Sequence, residues 1–257
     1  MLSSDLKAAL DFEIYKVNPV LWASEVLNFH PDQWALRVMT LPARYVIENV
    51  SRQAGKSTCA AAMATHQAVF FPGSLVLVVS PTLRQSGELQ RKAMRFYDLV
   101  DPDHNGLAED TKLSIQLKNK SRIIALPGQE DNLRGYSAPA LIIEDEASRV
   151  KDELHVAIRP MLATNQGRLI LLSTPNGKTG HFHKIWMEGG PEWLKIKVSA
   201  DQIPRISKEF LENERLNMSE GQYLQEYFNQ FQDAEGAVFS SDLFKSLANP
   251  ALSALKI

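Results

Sequence analysis

A chain of 257 residues, 44% hydrophobic and 23% charged, can bury a full core as one large domain, or as one domain with a small appendage, and is not a disordered polymer. Its net charge of −2 gives no global pull on nucleic acid, so any DNA contact has to come from a local basic patch. The single Cys59 excludes an intramolecular disulfide framework, no apolar run reaches the roughly 18–20 residues of a membrane span, and Met1–Phe12 lacks a signal peptide's basic start, so a reducing, cytoplasmic setting is expected.

In chain order, Leu6–Ala23 mixes helical spacing with Pro19, and Leu21–Leu27 is a short amphipathic piece before a turn at His30-Pro31. Pro31-Asp32-Gln33-Trp34 opens a helix, with Pro in the first turn where its missing N–H costs little. A Gln or an aromatic at this place, one element before a phosphate loop, can read adenine; a helix start with a buried Trp34 accounts for the same residues.

Tyr45–Thr58, YVIENVSRQAGKST, reads strand, loop, helix: an apolar run, a tight segment ending Gly55-Lys56-Ser57-Thr58, then Cys59–Ala64 as a helix. A phosphate-binding loop needs this order, because backbone N–H groups at a helix N-terminus, a lysine for the β- and γ-phosphates and a hydroxyl for Mg2+ must converge. Lys56 and Ser57 fill the last two roles. The departure is Val50, which stands where the first glycine of such a loop usually sits.

Ser74–Ser80 is a continuous apolar run of the kind buried on both faces of a parallel sheet. The helix Leu83–Leu99 carries Arg84, Arg91, Lys92 and Arg95, either a solvated face or a DNA patch. After a polar loop around Asp101–Gly106, Leu113–Leu117 and Arg122–Leu126 read as a β-hairpin with a basic tip at Lys118 and Lys120. Gly128–Ser137 is a loop carrying Arg134-Gly135.

Ala140–Ile143 is an apolar strand ending in Glu144-Asp145-Glu146. Carboxylates at a strand's C-terminal end suit an NTPase: one for the Mg2+ shell, the next to orient and deprotonate water. We assign Asp145 to the metal and Glu146 to the water, with Glu144 and Asp145 as the alternative register. An acidic helix N-terminus would explain one or two of these charges. A helix over about Asp152–Leu162 precedes the strand Arg168–Leu172, which runs into Ser173-Thr174-Pro175-Asn176-Gly177 at the rim where open α/β sheets bind ligands. His181 and His183, with no third ligand in view, read as packing or surface residues and not as a zinc site. Trp193–Val198 alternates as an edge strand, and the pattern is helical from Ser207 to Phe228 and closes at Ala237-Val238-Phe239.

Ser51-Arg52-Gln53-Ala54-Gly55-Lys56-Ser57, Asp131-Asn132-Leu133-Arg134-Gly135 and Ser173-Thr174-Pro175-Asn176-Gly177, in this order, resemble the ATPase half of the large terminase subunit, the DNA-packaging motor of tailed bacteriophages. The resemblance covers roughly residues 30 to 240. It implies an α/β P-loop NTPase of the additional-strand catalytic-glutamate type, with a mainly parallel sheet flanked by helices, in which an extra strand separates the P-loop strand from the acidic strand. Residues 1–198 would be the core and 199–257 a lid that moves with nucleotide state, leading to an absent nuclease domain, so no DNA cleavage is expected. It implies ATP and Mg2+ as ligands, bound by Ser51–Thr58, with Gln33 on the adenine side. It further implies Arg52 as a phosphate sensor in cis, Arg134 as an arginine finger reaching the neighbouring subunit's ATP, and Ser173 and Thr174 as the coupling motif. Implied partners are double-stranded DNA, a portal protein, a small terminase subunit and further copies of the chain, monomeric in isolation and ring-forming when assembled, in the host cytoplasm. Two rivals stay open: a superfamily 2 helicase or translocase, for which the length leaves no second lobe, and an ATP-binding ring module that does not hydrolyse.

Overall fold

The computed structural model describes residues 3–127, 133 and 135–233. Among them, eight strands form one sheet in the order β3-β4-β5-β2-β6-β7-β1-β8. The strands are β1 (Tyr45–Val50), β2 (Leu75–Ser80), β3 (Leu107–Thr111), β4 (Ser114–Leu117), β5 (Arg122–Pro127), β6 (Leu141–Asp145), β7 (Arg168–Ser173) and β8 (Trp193–Val198). β5, β2, β6, β7, β1 and β8 are mutually parallel, and only the β3-β4-β5 end is antiparallel. Every residue of β2 and of β6 is buried, as expected where helices cover both faces.

Strand alternation sorts the core into two layers. Val46, Val76, Val78, Ile143, Ile170 and Leu172 pack with the helices α1 (Ser4–Val17), α2 (Pro19–Glu25), α3 (Gln33–Thr40), α4 (Lys56–Phe70) and α5 (Leu83–Val100). Ile47, Leu77, Val79, Ile142, Leu169 and Leu171 face α6 (Asp152–Ile158) and α7 (Gly180–Glu188), through Leu154, Ile158 and Phe182. α4 is alanine-rich because it lies flush between the sheet, α5 and the N-terminal helices; Ala60, Ala61, Ala62, Ala64 and Ala68 are all buried. Beyond β8, α8 (Lys208–Asn217) and α9 (Glu220–Phe228) enclose a small core of Ala200, Leu211, Tyr223 and Tyr227. No helix among the described residues is long and apolar enough to cross a membrane.

β7 lies between β1 and β6, which is the inserted strand expected from the resemblance. One local reading needs correction, and two segments gain a role that the sequence left open. Residues 107–111, which follow the polar loop, pair with β4 as the exposed edge of the sheet. The helix expected over Asp152–Leu162 ends at Ile158 and continues as a 3-10 turn, Arg159–Leu162, because Pro160 has no N–H to donate. The basic hairpin tip packs against the C-terminal end of α4: Asn119 Nδ2 donates to the carbonyls of Ala68 and Val69 at 2.9 and 3.3 Å, Ser121 Oγ donates to Phe71 O, and Lys118 Nζ to Asn105 O. The tip satisfies orphan helix carbonyls at the rim opposite the strand C-termini.

Candidate active site

β1 and α4 are joined by Ser51–Gly55. Val50 is fully buried and is the last residue of β1 to pair with β8, opposite Val198, and Ser51 N donates to Val198 O at 3.0 Å. A residue held in extended pairing needs no glycine. The left-handed positions fall later in the loop, at Gln53 (φ 60°) and at Gly55 (φ 87°), the N-cap of α4. Lys56, the first residue of α4, is 7% exposed and folds back so that its ammonium donates to Val50 O at 2.7 Å and Ser51 O at 2.9 Å. Burial holds its pKa below the usual lysine range against the pull of Glu146, Asp145 and Glu48.

The acidic strand divides its carboxylates by alternation. Asp145 shares the α4 face; burial, then the neighbouring Glu146 carboxylate, pushes its pKa up to about 7. Glu146 stands just past the strand in the left-handed region (φ 52°, ψ 43°), and its N–H donates to Asp145 Oδ1 at 3.1 Å. This turn brings it to the wall of a cleft of about 490 Å³ shared with Arg52, Gln53, Ala54, Gly55, Lys56, Ser57, Thr58, Lys92 and Arg205. Glu144 points through the other face, fully buried against His155 and His181. Asp145 and Glu146 are therefore the pair that faces the loop, and Glu144 is not.

Arg52 is exposed, and its guanidinium pairs with Glu226 on α9. Glu226 also lies 3.5 Å from Arg149, which holds Glu146 at 3.0 Å. Glu146, Arg149, Glu226 and Arg52 thus form one chain of charges from the acidic turn to α9 and back to the loop. Ser173 is buried at the end of β7, and its hydroxyl meets both the N–H (3.2 Å) and the hydroxyl (2.7 Å) of Ser148, two residues after Glu146. Thr174 is buried beside it. Arg134 lies outside the described residues, as do Asp131, Asn132 and Ala237–Phe239.

A second cavity, about 220 Å³, opens beside the loop and is walled by Phe29, His30, Asp32, Trp34, Ala54 and Arg205 among others. Trp34 is buried at its wall, and its indole Nε1 has no protein partner among the described residues. Gln33 is exposed on α3 and lines the neighbouring groove with Ile196, Lys197 and Gln202. Arg205 donates to Ala54 O at 2.6 Å and pairs with Asp32 at 2.8 Å, so a residue between β8 and α8 joins the loop to α3.

Sequence reasoning passed over Arg205, Glu226, Arg149, Glu48 and the inward placement of Lys92. Arg149, three residues from Glu146, was open to an i,i+3 reading. Arg205 and Glu226 stand 151 and 174 residues from their loop partners Ala54 and Arg52, and leave no local signal. Glu48, inside the apolar β1 run, is 2% exposed; burial pushes its pKa to about 8 against the opposing charges of Lys56 and Arg168. His183 packs its ring edge-on to Phe231 at 4.8 Å, in keeping with a packing role, whereas His181 has the third neighbour that the sequence did not reveal.

The family model described as "Terminase large subunit, T4likevirus-type, N-terminal" matches residues 48–246. The large terminase subunit of Escherichia phage T5 is 31% identical over 209 residues, covering 77% of this chain and 46% of that protein. Among solved structures, a mutant of the ATPase domain of the Thermus phage P74-26 large terminase superposes with a TM-score of 0.74 at 20% identity, covering 81% of this chain and 97% of that one. A large terminase from a thermophilic bacteriophage, in complex with ADP, superposes with a TM-score of 0.56 at 14% identity, covering 86% and 53%. At these identities the two structures show the fold. The chain spans about half the length of the curated relatives it matches.

Proposed function

The chain belongs to the large terminase subunit family, and from that premise we propose that it is the ATP-hydrolysing motor of a viral DNA-packaging machine, coupling hydrolysis to translocation of double-stranded DNA into a procapsid. The observation that carries this reading is the cleft in which a helix N-terminus, Lys56, Ser57 and Glu146 meet beside Asp145. ATP fits it chemically: loop N–H groups and the α4 N-terminus favour phosphate, and the adjoining cavity has an aromatic wall for a base.

Lys56 already sits at the loop with its ammonium on backbone carbonyls; phosphate oxygens would replace Val50 O and Ser51 O as its acceptors. Mg2+ fits Asp145, a buried carboxylate held near neutrality that a cation would ionise, together with the Ser57 hydroxyl; both are the oxygen ligands a hard cation takes, and the ion would offset developing phosphate charge. Glu146 is the base that orients water. Arg52 serves in cis, exchanging Glu226 for phosphate. Arg134 serves in trans, and a finger of this kind is worth about 10³–10⁵ in rate, so the isolated chain is a poor ATPase until subunits assemble. Ser173 and Thr174 carry the coupling step: any shift of Glu146 is felt at Ser148, and from there at Ser173.

The proposed partners are double-stranded DNA, a portal protein, a small terminase subunit and copies of the chain in a ring, in the cytoplasm of the infected host. The test is complementation. Turnover is measured against protein concentration, and Arg134→Ala subunits are mixed with Glu146→Ala subunits. Recovery of activity in mixed rings supports the finger in trans; no recovery, with both proteins binding ATP and mixed rings formed, overturns it. The rival reading, a ring module that binds ATP without splitting it, predicts no wild-type hydrolysis under any assembly condition. The motor reading predicts hydrolysis that Lys56→Ala abolishes while partner binding is retained.

A further inference from the structure

On the face of the sheet opposite the nucleotide cleft, Glu144, His155 and His181 come together from β6, α6 and α7. One ligand-type atom of each lies within 4.8 Å of the others, and all three residues are buried. Glu144 is fully buried, and the two histidines are 7% and 8% exposed. Their rings are nearly parallel, at 11° with centroids 4.3 Å apart, so both imidazoles address the same carboxylate.

Asp152 fixes the tautomer of His181. Its Oδ1 accepts from the His181 backbone N–H at 2.7 Å and lies 3.0 Å from Nδ1, so Nδ1 carries the proton. In the neutral ring Nε2 is then a lone pair, and it lies 2.6 Å from Glu144 Oε1. The two atoms do not meet in hydrogen-bond geometry, and neither has another partner among the described residues. Two buried electron-pair donors aimed at one another at this distance need a positive charge to join them, either a proton, which makes His181 an imidazolium between two carboxylates, or a metal ion for which the pair opens. A carboxylate behind an imidazole whose other nitrogen faces a shared point is the support that metal-binding histidines commonly receive.

We infer that Glu144, His155 and His181 form a binding site for one divalent transition ion of the zinc class, with Asp152 orienting His181 and a water completing the shell. Two imidazoles and a carboxylate suit such an ion, whereas Mg2+ or Ca2+ would call for more oxygens. Neighbouring ligand atoms in a tetrahedral zinc site lie about 3.3 Å apart, so modest ring rotations bring these atoms into range. The ion would tie β6, one residue before Asp145, to α6 and to α7, the helix that follows the Ser173-Thr174 turn. It would be a structural pin behind the hydrolytic face, separate from the Mg2+ of the nucleotide cleft.

The test uses the full chain without nucleotide. The protein is treated with EDTA, reloaded with zinc, freed of excess by gel filtration and assayed for metal by mass spectrometry, with cobalt loading read by its visible absorption. One equivalent of zinc per chain is expected, with tetrahedral-type cobalt bands and a Tm raised by about 5–10 °C at zinc a hundredfold above its Kd. His181→Gln and Glu144→Gln should lose all three signatures, and Asp145→Asn should keep them. Circular dichroism of each variant checks that it has folded. A wild-type chain that holds less than about a tenth of an equivalent, with no zinc-dependent Tm, overturns the site and leaves His181 as a buried imidazolium between two carboxylates. Zinc retained equally by folded His181→Gln overturns it too, because the ion is then elsewhere.

Discussion

Glu146 and Arg149 face one another at 3.0 Å across a single 3-10 turn, and the far side of the same guanidinium lies 3.5 Å from Glu226 of α9. The residue proposed to polarise water is thus held by an arginine that also pairs with Glu226 of α9. Glu146 has a left-handed backbone, which for a non-glycine residue persists where its surroundings hold it.

Removing that hold is expected to damage turnover more than binding. Arg149→Ala should lower kcat by about 10²-fold, the scale set by loss of orientation at a reacting centre, with the Kd for ATP unchanged. Steady-state kinetics beside fluorescent-nucleotide titration separates the two. A change confined to Kd would remove Arg149 from the positioning of Glu146.

Arg205 closes the cavity beside the loop through Ala54 O and Asp32. Arg205→Ala should weaken nucleotide binding about tenfold, by loss of a cation at the wall of the cavity proposed to take the base, and leave kcat at saturating ATP nearly intact. Equal losses for ATP and for inorganic triphosphate would place its contribution on the phosphates instead.

Glu48 makes stability fall as pH rises. Its folded pKa of about 8 lies above the reference 4.5, so between those values the folded chain keeps a proton that the unfolded chain has released. The contribution is complete below the unfolded pKa and is lost as pH rises through the folded one. Each pH unit in that window removes up to about 1.4 kcal/mol. Glu48→Gln should flatten the decline in urea-unfolding free energy over this range; an unchanged slope would show that Glu48 ionises freely.

Asn49 and Asn229 clasp the loop strand to the end of α9. Asn49 Nδ2 donates to Asn229 O at 3.1 Å, and Asn229 Nδ2 donates to Asn49 O at 2.8 Å and to Val198 O at 2.6 Å. Asn229 also holds a left-handed C-cap, with φ 56°. Asn229→Ala removes the donor to Asn49 O, while Val198 O keeps the Ser51 N–H, and should cost about 1–3 kcal/mol, the scale of one orphaned buried group. Limited proteolysis should cut first between β8 and α8 if α8 and α9 have loosened. A Tm within a degree of wild type would count against the clasp.

The strand-loop-helix at Tyr45–Phe70, the buried run Leu75–Ser80 and the acid-ended strand Leu141–Asp145 were legible in the residues themselves, because each is a local pattern of apolar period, glycine and charge. So was the strand order near the cleft, through resemblance to a family in which β7 is inserted. The structure decided what depends on side chains meeting across long stretches of chain. Sequence left Glu144 and Asp145 both eligible for the cleft; the pleat sends them to opposite faces of the sheet, and the opposite face supplies His155 and His181. Lys56, Ser57 and Glu146 stood out by their neighbours in sequence, whereas Arg205, Glu226 and Asn229 reach the loop and its strand only because the chain after β8 folds back over them. A contact closed by the fold leaves no period and no spacing in the chain, so that half of the site exists only in three dimensions.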